Sequence, residues 1–249
     1  MKEPVFYTPG GSVALQHAKA ILEQKGFRFL QKPSCTATHL LLPVPSFASD
    51  STLKCGGKLE ELLPSLSPDV TVIGGLLRHP VLDNYKKIDL LEDPEYLAEN
   101  ARITAYCALK HAMNHLPVIL WQCPVLVIGW GRIGKCLAQL LSNLGASVTV
   151  GARKETDRAM LRALGYDALD TDSLGNSLAR FRLIFNTVPK MLLSKDSMSN
   201  CQSDCAKFEL ASLPGMDAPD VIPVKGLPGK DAPESSGQLI ARTALRLLI

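Results

Sequence analysis

The chain has 249 residues, enough for one large domain or two small ones and for a core that needs neither metal nor disulfide. Hydrophobic residues make up 46% and charged residues 20%, the mix of an ordinary globular protein. Lys and Arg number 27 against 24 Asp and Glu, and the resulting +3 is too weak a field to argue for a nucleic-acid or membrane-surface partner.

The opening Met1-Lys2-Glu3-Pro4 lacks the basic start and apolar run of an export signal. No apolar stretch reaches the roughly 18 residues of a membrane span; the greasiest, Leu116 to Gly129, is cut by Pro117, Gln122 and Pro124. The seven cysteines are odd in number and scattered, and read as reduced thiols of a cytoplasmic protein.

Short β-like runs alternate with amphipathic stretches, which predicts parallel sheets covered by helices, an α/β protein. Pro4 to Thr8 is the first strand candidate. Ser12 then caps a helix to Lys25, with Gly26 as its stop. Phe27 to Gln31, Thr38 to Leu42, Asp69 to Ile73 and the weaker Lys87 to Leu91 are further strands, with a loop over 44–58 and a helical turn at Leu59 to Leu63. A long helix follows, about Pro94 to Leu116, ended by Pro117. Its small-residue stripe of Ala101, Ala105, Ala108 and Ala112 suits a helix between two domains, or equally a plain core helix.

The second half begins with Val125 to Ile128, a continuous apolar strand of the kind buried on both faces. The next helix carries Ile133, Leu137, Leu140, Leu141 and Leu144 at helical spacing and stops at Gly145. Strand candidates at Val148 to Val150, Leu183 to Asn186, Lys207 to Leu210 and Val221 to Val224 follow, with a helix at Glu155 to Leu164 after the first of them. The last helix opens at Ser235-Ser236-Gly237-Gln238, where Ser235 and Gln238 have capping-box spacing.

Gly129-Trp130-Gly131-Arg132-Ile133-Gly134 fits G-x-G-x-x-G between a strand and a helix, the context that distinguishes a dinucleotide loop from a glycine-rich turn. Gly129 allows the tight turn, Gly131 lets backbone approach a pyrophosphate, and Gly134 lets the helix pack on the strand. The helix N-terminus offers unpaired N–H groups to the phosphates. Beyond the second strand stands Gly151-Ala152-Arg153-Lys154, where an NAD-selective loop would carry an acid. Arg153 and Lys154 favour the 2′-phosphate of NADP, with NAD as the alternative; the other reading is a solvated basic pair. The loops at Asn186-Thr187-Val188-Pro189, Ala211 to Gly215 and Lys225 to Gly229 lie at strand ends, where open parallel sheets bind ligands.

All five histidines precede the motif, so a general-acid His from the nucleotide half is excluded. His111 and His115 lie at i, i+4 without an acidic or cysteine partner at metal-site spacing, and Cys201-x3-Cys205 is half a site. No metal is expected, and the aromatics are too sparse for a single-stranded nucleic-acid platform.

VLVIGWGRIGKCLAQLL, VTVGARK and IFNTVP within Val125 to Pro189, with the later GLPGKDAPESSGQLIA, resemble the family of bacterial dipicolinate synthase A subunits. The likeness is specific over about 120–249 and looser back through the long helix. It implies two domains: a flavodoxin-like N-terminal domain over 1–95, here divergent and shortened, and a Rossmann-type doubly wound NAD(P)-binding domain over 118–249. An interdomain helix over 96–117 would join them, and the C-terminal helix would have the option of packing back on the first domain. By resemblance the activity is oxidation of a dihydrodipicolinate-type cyclic imine from the lysine pathway to dipicolinate, with NAD(P) and a flavoprotein-like B subunit, in a sporulating mother cell.

Residues implied for the cofactor are Gly129, Trp130, Gly131, Arg132, Ile133 and Gly134 at the pyrophosphate and Ala152, Arg153 and Lys154 at the 2′-phosphate. Asn186, Thr187, Val188, Pro189 and Ser212 would lie at the nicotinamide end, with Gly226, Leu227 and Pro228 closing a cleft between the domains. Asn100 and Thr104 would orient a small carboxylated substrate, with Lys225, Arg102 and Arg78 as cationic candidates. The chain departs from the family at Thr8-Pro9-Gly10-Gly11-Ser12, which lacks an acid and an Arg, and at Thr104-Ala105-Tyr106-Cys107, which lacks a carboxylate. A non-catalytic NADP-binding or regulatory subunit, a reductase of another 2-oxo or imino acid, and a homo-oligomer remain open.

Overall fold

The computed structural model describes residues 3–248; Met1, Lys2 and Ile249, and with them part of the start read above for an export signal, lie outside the described residues. The chain divides into two compact units, one built from the chain up to Asn100 together with the stretch from Pro228 on, the other from Ala101–Leu227. The divisions therefore fall inside the long helix and just before the last one, rather than at 95 and 117.

The first unit carries β1 (Val5–Tyr7), α1 (Val13–Gln24), β2 (Arg28–Leu30), β3 (His39–Leu41), α2 (Leu59–Leu62), β4 (Thr71–Gly74) and β5 (Lys87–Asp89). Its five strands are all parallel in the order β2-β1-β3-β4-β5, the flavodoxin arrangement. Phe6, Leu40, Val72 and Ile73 are fully buried in it, as continuous apolar strands covered on both faces must be. Ser12 caps α1 as expected, its Oγ accepting from Leu15 N at 3.1 Å.

α3 (Pro94–His115) leads into the second unit, and Ala101, Ala105, Ala108 and Ala112 are all buried along it. That unit holds β6 (Pro124–Ile128), α4 (Arg132–Asn143), β7 (Ser147–Gly151), α5 (Glu155–Ala163), β8 (Asp167–Leu169), β9 (Leu183–Asn186), α6 (Lys195–Met198), β10 (Ala206–Glu209) and β11 (Ile222–Pro223). The strand order β11-β10-β9-β6-β7-β8 is that of a Rossmann doubly wound sheet, with its chain reversal between β6 and β9. β8 and the 3-10 turns over Thr171–Arg180 are additions to the sequence reading, in which no periodic apolar pattern marks them. α7 (Leu227–Asp231) and α8 (Pro233–Leu248) close the chain.

α8 starts two residues earlier than the capping-box spacing indicated. Pro233, with its fixed φ, occupies the first turn, and Ser236 N already bonds Ala232 O at 3.0 Å. Ser235 is thus inside the helix and does not cap it. None of the seven cysteines is in a disulfide, and no helix among the described residues is long and apolar enough to cross a membrane.

Within the first unit α8 lies against α1 at backbone distance. A Cβ on Gly237 would stand 2.5 Å from Ala14 O and from His17 Cβ, so this crossing requires glycine. Asp93 anchors the start of α3: its Oδ1 accepts from Tyr96 N at 2.7 Å and from Arg246 Nη2 of α8 at 2.6 Å. The Arg246 bond, ahead of the Tyr96 N–H, holds the Asp93 carboxyl below its ordinary range.

Two outcomes follow from this packing. Gly237→Ala should force the helices apart and cost about 1–3 kcal/mol in urea unfolding, whereas Gly229→Ala, whose Cβ meets nothing within 4 Å, should change the midpoint little. Because a depressed carboxylate stabilises the fold above its unfolded pKa and loses that contribution as pH falls through the folded one, the stability deficit of Arg246→Ala should be full at neutral pH. It should narrow below the ordinary Asp value of 3.8, measured as urea midpoints across an acid series.

Candidate functional site

The end of β6 and the start of α4 form a turn that only glycine can make. Gly129 has φ +108°, and a Cβ there would meet Thr187 Oγ1 at 2.4 Å and Val188 Cγ2 at 2.8 Å. Thr187 Oγ1 donates to Ile128 O at 2.8 Å, tying the β9 loop to the turn. Gly134 is needed for a different reason: a Cβ on it would lie 2.0 Å from Gly129 O. Gly131, the N-cap of α4, has no atom within 4 Å of its Cβ position and no side chain caps the helix, so the first N–H groups of α4 open toward free space.

That space is a cavity of about 350 Å³ at the carboxyl ends of β6, β7 and β9. Gly129, Trp130 and Gly131 form one wall, Gly151, Ala152, Arg153, Lys154 and Asp157 another, Thr171 and Asp172 a third, and Val188, Lys190 and Leu192 the last. Trp130 is edge-on to Tyr166, with ring centroids 6.0 Å apart, and Lys135 Nζ lies 5.6 Å from its ring. Arg153 and Lys154 are exposed and have no ion-pair partner among the described residues. Bare backbone at Gly131, unpaired helix N–H groups and cations without carboxylate partners fit a phosphate-bearing nucleotide, and the volume lies within the range of small-ligand pockets.

Gly129, Trp130, Gly131, Ala152, Arg153, Lys154 and Val188 are the expected cofactor residues that the structure brings to this cavity. Arg132 and Pro189 are exposed outside its lining, Ile133 is half-buried, and Gly134 is buried beneath the turn. Thr187 serves the turn through Ile128 O and does not line the cavity. Asn186 requires a correction. Its side chain is fully buried: Nδ2 donates to Glu209 Oε1 at 2.8 Å and to Val188 O at 2.9 Å, while Oδ1 accepts from Val188 N at 3.1 Å. Every polar atom of Asn186 is used inside the protein, so it shapes the β9 loop and cannot touch a ribose.

Ser212 is exposed, and its carbonyl accepts from Lys225 Nζ at 3.1 Å. Gly226 and Leu227 lie outside the cavity lining, and Pro228 belongs to the other unit. Asn100 and Thr104 stand one turn apart on α3, Thr104 buried, and neither lines the cavity. Arg78 is paired with Glu92 at 3.2 Å. His115 Nδ1 meets His111 O at 2.7 Å and its ring meets Phe208 edge-on at 5.5 Å, so this pair is a helix-end packing contact.

Two sets of residues escaped the sequence reading. Asp157, Thr171, Asp172, Lys190 and Leu192 line the cavity, yet only Lys190, next after Pro189, adjoined a quoted motif. Glu209 is the other: a carboxylate only 3% exposed at the carboxyl end of β10. It accepts from Asn186 Nδ2, from Ala211 N at 3.1 Å and from Gly215 N at 2.8 Å. Nothing in the run Lys207 to Leu210 marks it as buried, because its donors come from the end of β9 and from the loop beyond β10 rather than from its own strand.

No family model matches the chain. The A subunit of dipicolinate synthase from Bacillus subtilis (strain 168) is 29% identical over 171 residues, 66% of this chain and 58% of that protein, so the match spans less than two thirds of the relative's length. The crystal structure of the dipicolinate synthase A subunit from Bacillus halodurans is similar with a TM-score of 0.87 at 21% identity, covering 99% of this chain and 98% of that one. The corresponding crystal structure from Bacillus subtilis gives a TM-score of 0.81 at 22% identity, covering 100% and 96%. The structural likenesses show the fold, two parallel α/β sheets of flavodoxin and Rossmann order.

Glu209→Ala should leave the amides of Ala211 and Gly215, and one of the two Asn186 Nδ2 hydrogens, buried without an acceptor. The expected loss is about 3–5 kcal/mol in urea unfolding, against about 1–3 kcal/mol for Glu209→Gln, which keeps an acceptor oxygen.

Proposed function

From the placement of this chain in the family of dipicolinate synthase A subunits, we propose that it is an NADP-dependent oxidoreductase acting on a small carboxylated imine of the dihydrodipicolinate type. The observation that carries the reading is the cavity at Gly129 to Gly131, with open backbone on one wall and Arg153, Lys154 and Lys190 on the others. In this reading the α4 N–H groups hold the pyrophosphate, and Arg153 forks onto the 2′-phosphate with Lys154 beside it. Lys190, on the β9 loop, supplies a further positive charge to the phosphates. Trp130 lines the same cavity beside Gly129 and Gly131. When bound, the nicotinamide carries the hydride. The residues around the cavity bind and orient the nucleotide. A flavoprotein-like second subunit belongs to the same proposal.

A second reading, NAD in place of NADP, draws on Asp157 and Asp172, which also line the cavity and can accept from ribose hydroxyls. Three cations against two carboxylates leave the wall net positive, which supports NADP.

Titration of the full chain with NADPH and NADH, followed by nucleotide fluorescence, separates the two. Wild type should bind NADPH more tightly, and Arg153→Ala should weaken NADPH about tenfold or more while leaving NADH unchanged, the scale of one charge-assisted contact. Equal affinities in wild type would overturn the NADP reading. Absence of NADP(H) turnover with dihydrodipicolinate-type and imino-acid substrates, with and without a flavoprotein partner, would overturn the enzyme reading.

A further inference from the structure

Arg158, on the second turn of α5, has a side chain only 13% exposed and spends its guanidinium on hydrogen bonds and ion pairs. Nη1 donates to Ala152 O and to Arg153 O, each at 2.8 Å, and forms an ion pair with Asp170 Oδ2 at 2.7 Å. Nε and Nη2 both reach Glu155 Oε2, at 3.0 and 2.8 Å. Arg162 Nη2 takes the other Glu155 oxygen at 2.6 Å. Glu155 is therefore held from both sides, by Arg162 and by Arg158, which keeps its carboxyl below the ordinary range and charged.

The consequences bear on the cavity. Ala152 and Arg153 belong to its wall, and a free carbonyl oxygen there would present a partial negative charge to a phosphate; Arg158 engages both. Glu155 follows Lys154 directly, at the place where an acid would select the ribose hydroxyl of NAD, yet it is absent from the cavity lining. Asp170 adds a further link, since its Oδ1 accepts from Asp172 N at 3.0 Å and Thr171 and Asp172 also line the cavity. One planar cation thus joins the β7 turn to the turn after β8.

We propose that Arg158 is a positioning residue for nucleotide choice: by binding the carbonyls of Ala152 and Arg153 and holding Glu155 off, it lets the β7 turn show an anion only the cations of Arg153 and Lys154. The inference rests on the NADP reading and deepens it. Arg158 itself is absent from the cavity lining and acts on the nucleotide only through the groups it holds. A lysine cannot replace it, because a point charge does not span three acceptors in one plane.

The test is the ratio of NADPH to NADH dissociation constants, measured by titration of the full chain, for wild type, Arg158→Gln, Arg158→Lys and Glu155→Gln combined with Arg158→Gln. Arg158→Gln should reduce the preference for NADPH about tenfold, with NADH binding held or tightened. Arg158→Lys should fall between it and wild type, and decides the matter if Arg158→Gln does not fold. Removing Glu155 as well should restore part of the NADPH preference. A brace of purely structural value would weaken both nucleotides equally, and an unshifted ratio in Arg158→Gln and Arg158→Lys would overturn this inference alone. A wild type without NADPH preference would overturn the NADP reading and this inference with it.

Discussion

α4 approaches the end of β6 so closely that a single methyl group would separate them: a Cβ at Gly134 would lie 2.0 Å from the Gly129 carbonyl oxygen. The close approach brings the uncapped N-terminus of α4 to the carboxyl edge of the sheet, and Gly129 must take positive φ to make the turn. Thr187 closes the other side through Ile128 O, so the β9 loop is held in register with the turn. The cavity exists because these three backbones converge and Gly131 leaves the space before them empty.

Charge is distributed in two layers around that space. Nearest the cavity stand Arg153, Lys154 and Lys190, without carboxylate partners among the described residues, opposed by Asp157 and Asp172. Behind them Arg158, Arg162, Glu155 and Asp170 neutralise one another at 2.6–3.0 Å. Their effect at the cavity is to decide which charges remain available to a ligand. On the other flank Glu209 does similar work with backbone donors, fixing Asn186 and the loop to Gly215.

Much of the second unit was legible because its signals are local. Apolar runs longer than three residues, the glycine spacing after Ile128 and the Leu periodicity after Arg132 each depend on neighbours along the chain, and β6, α4, β7 and β9 follow from them. β8 escaped because Asp167-Ala168-Leu169 has too few residues to show a period, and it pairs only as an edge strand beside β7. Ser235 misled because capping-box spacing competes with Pro233, whose backbone constraint begins the helix first. Asn186 misled differently: a polar residue at a strand end reads as a ligand contact until its partner, Glu209, is seen beside it.

What the amino-acid order determined alone was the alternation of strands and helices, the strand-to-helix turn with its three glycines, and the basic pair after β7. Each is settled within a few residues by sterics or by side-chain chemistry. Tertiary structure alone decided which polar groups line the cavity. The burial of Asn186 by Glu209, the engagement of Glu155 by Arg158 and Arg162, and the arrival of Asp172 and Lys190 at the cavity all depend on how the chain folds back on itself. A parallel sheet gathers its strand ends at one edge, and no spacing along the chain records that meeting.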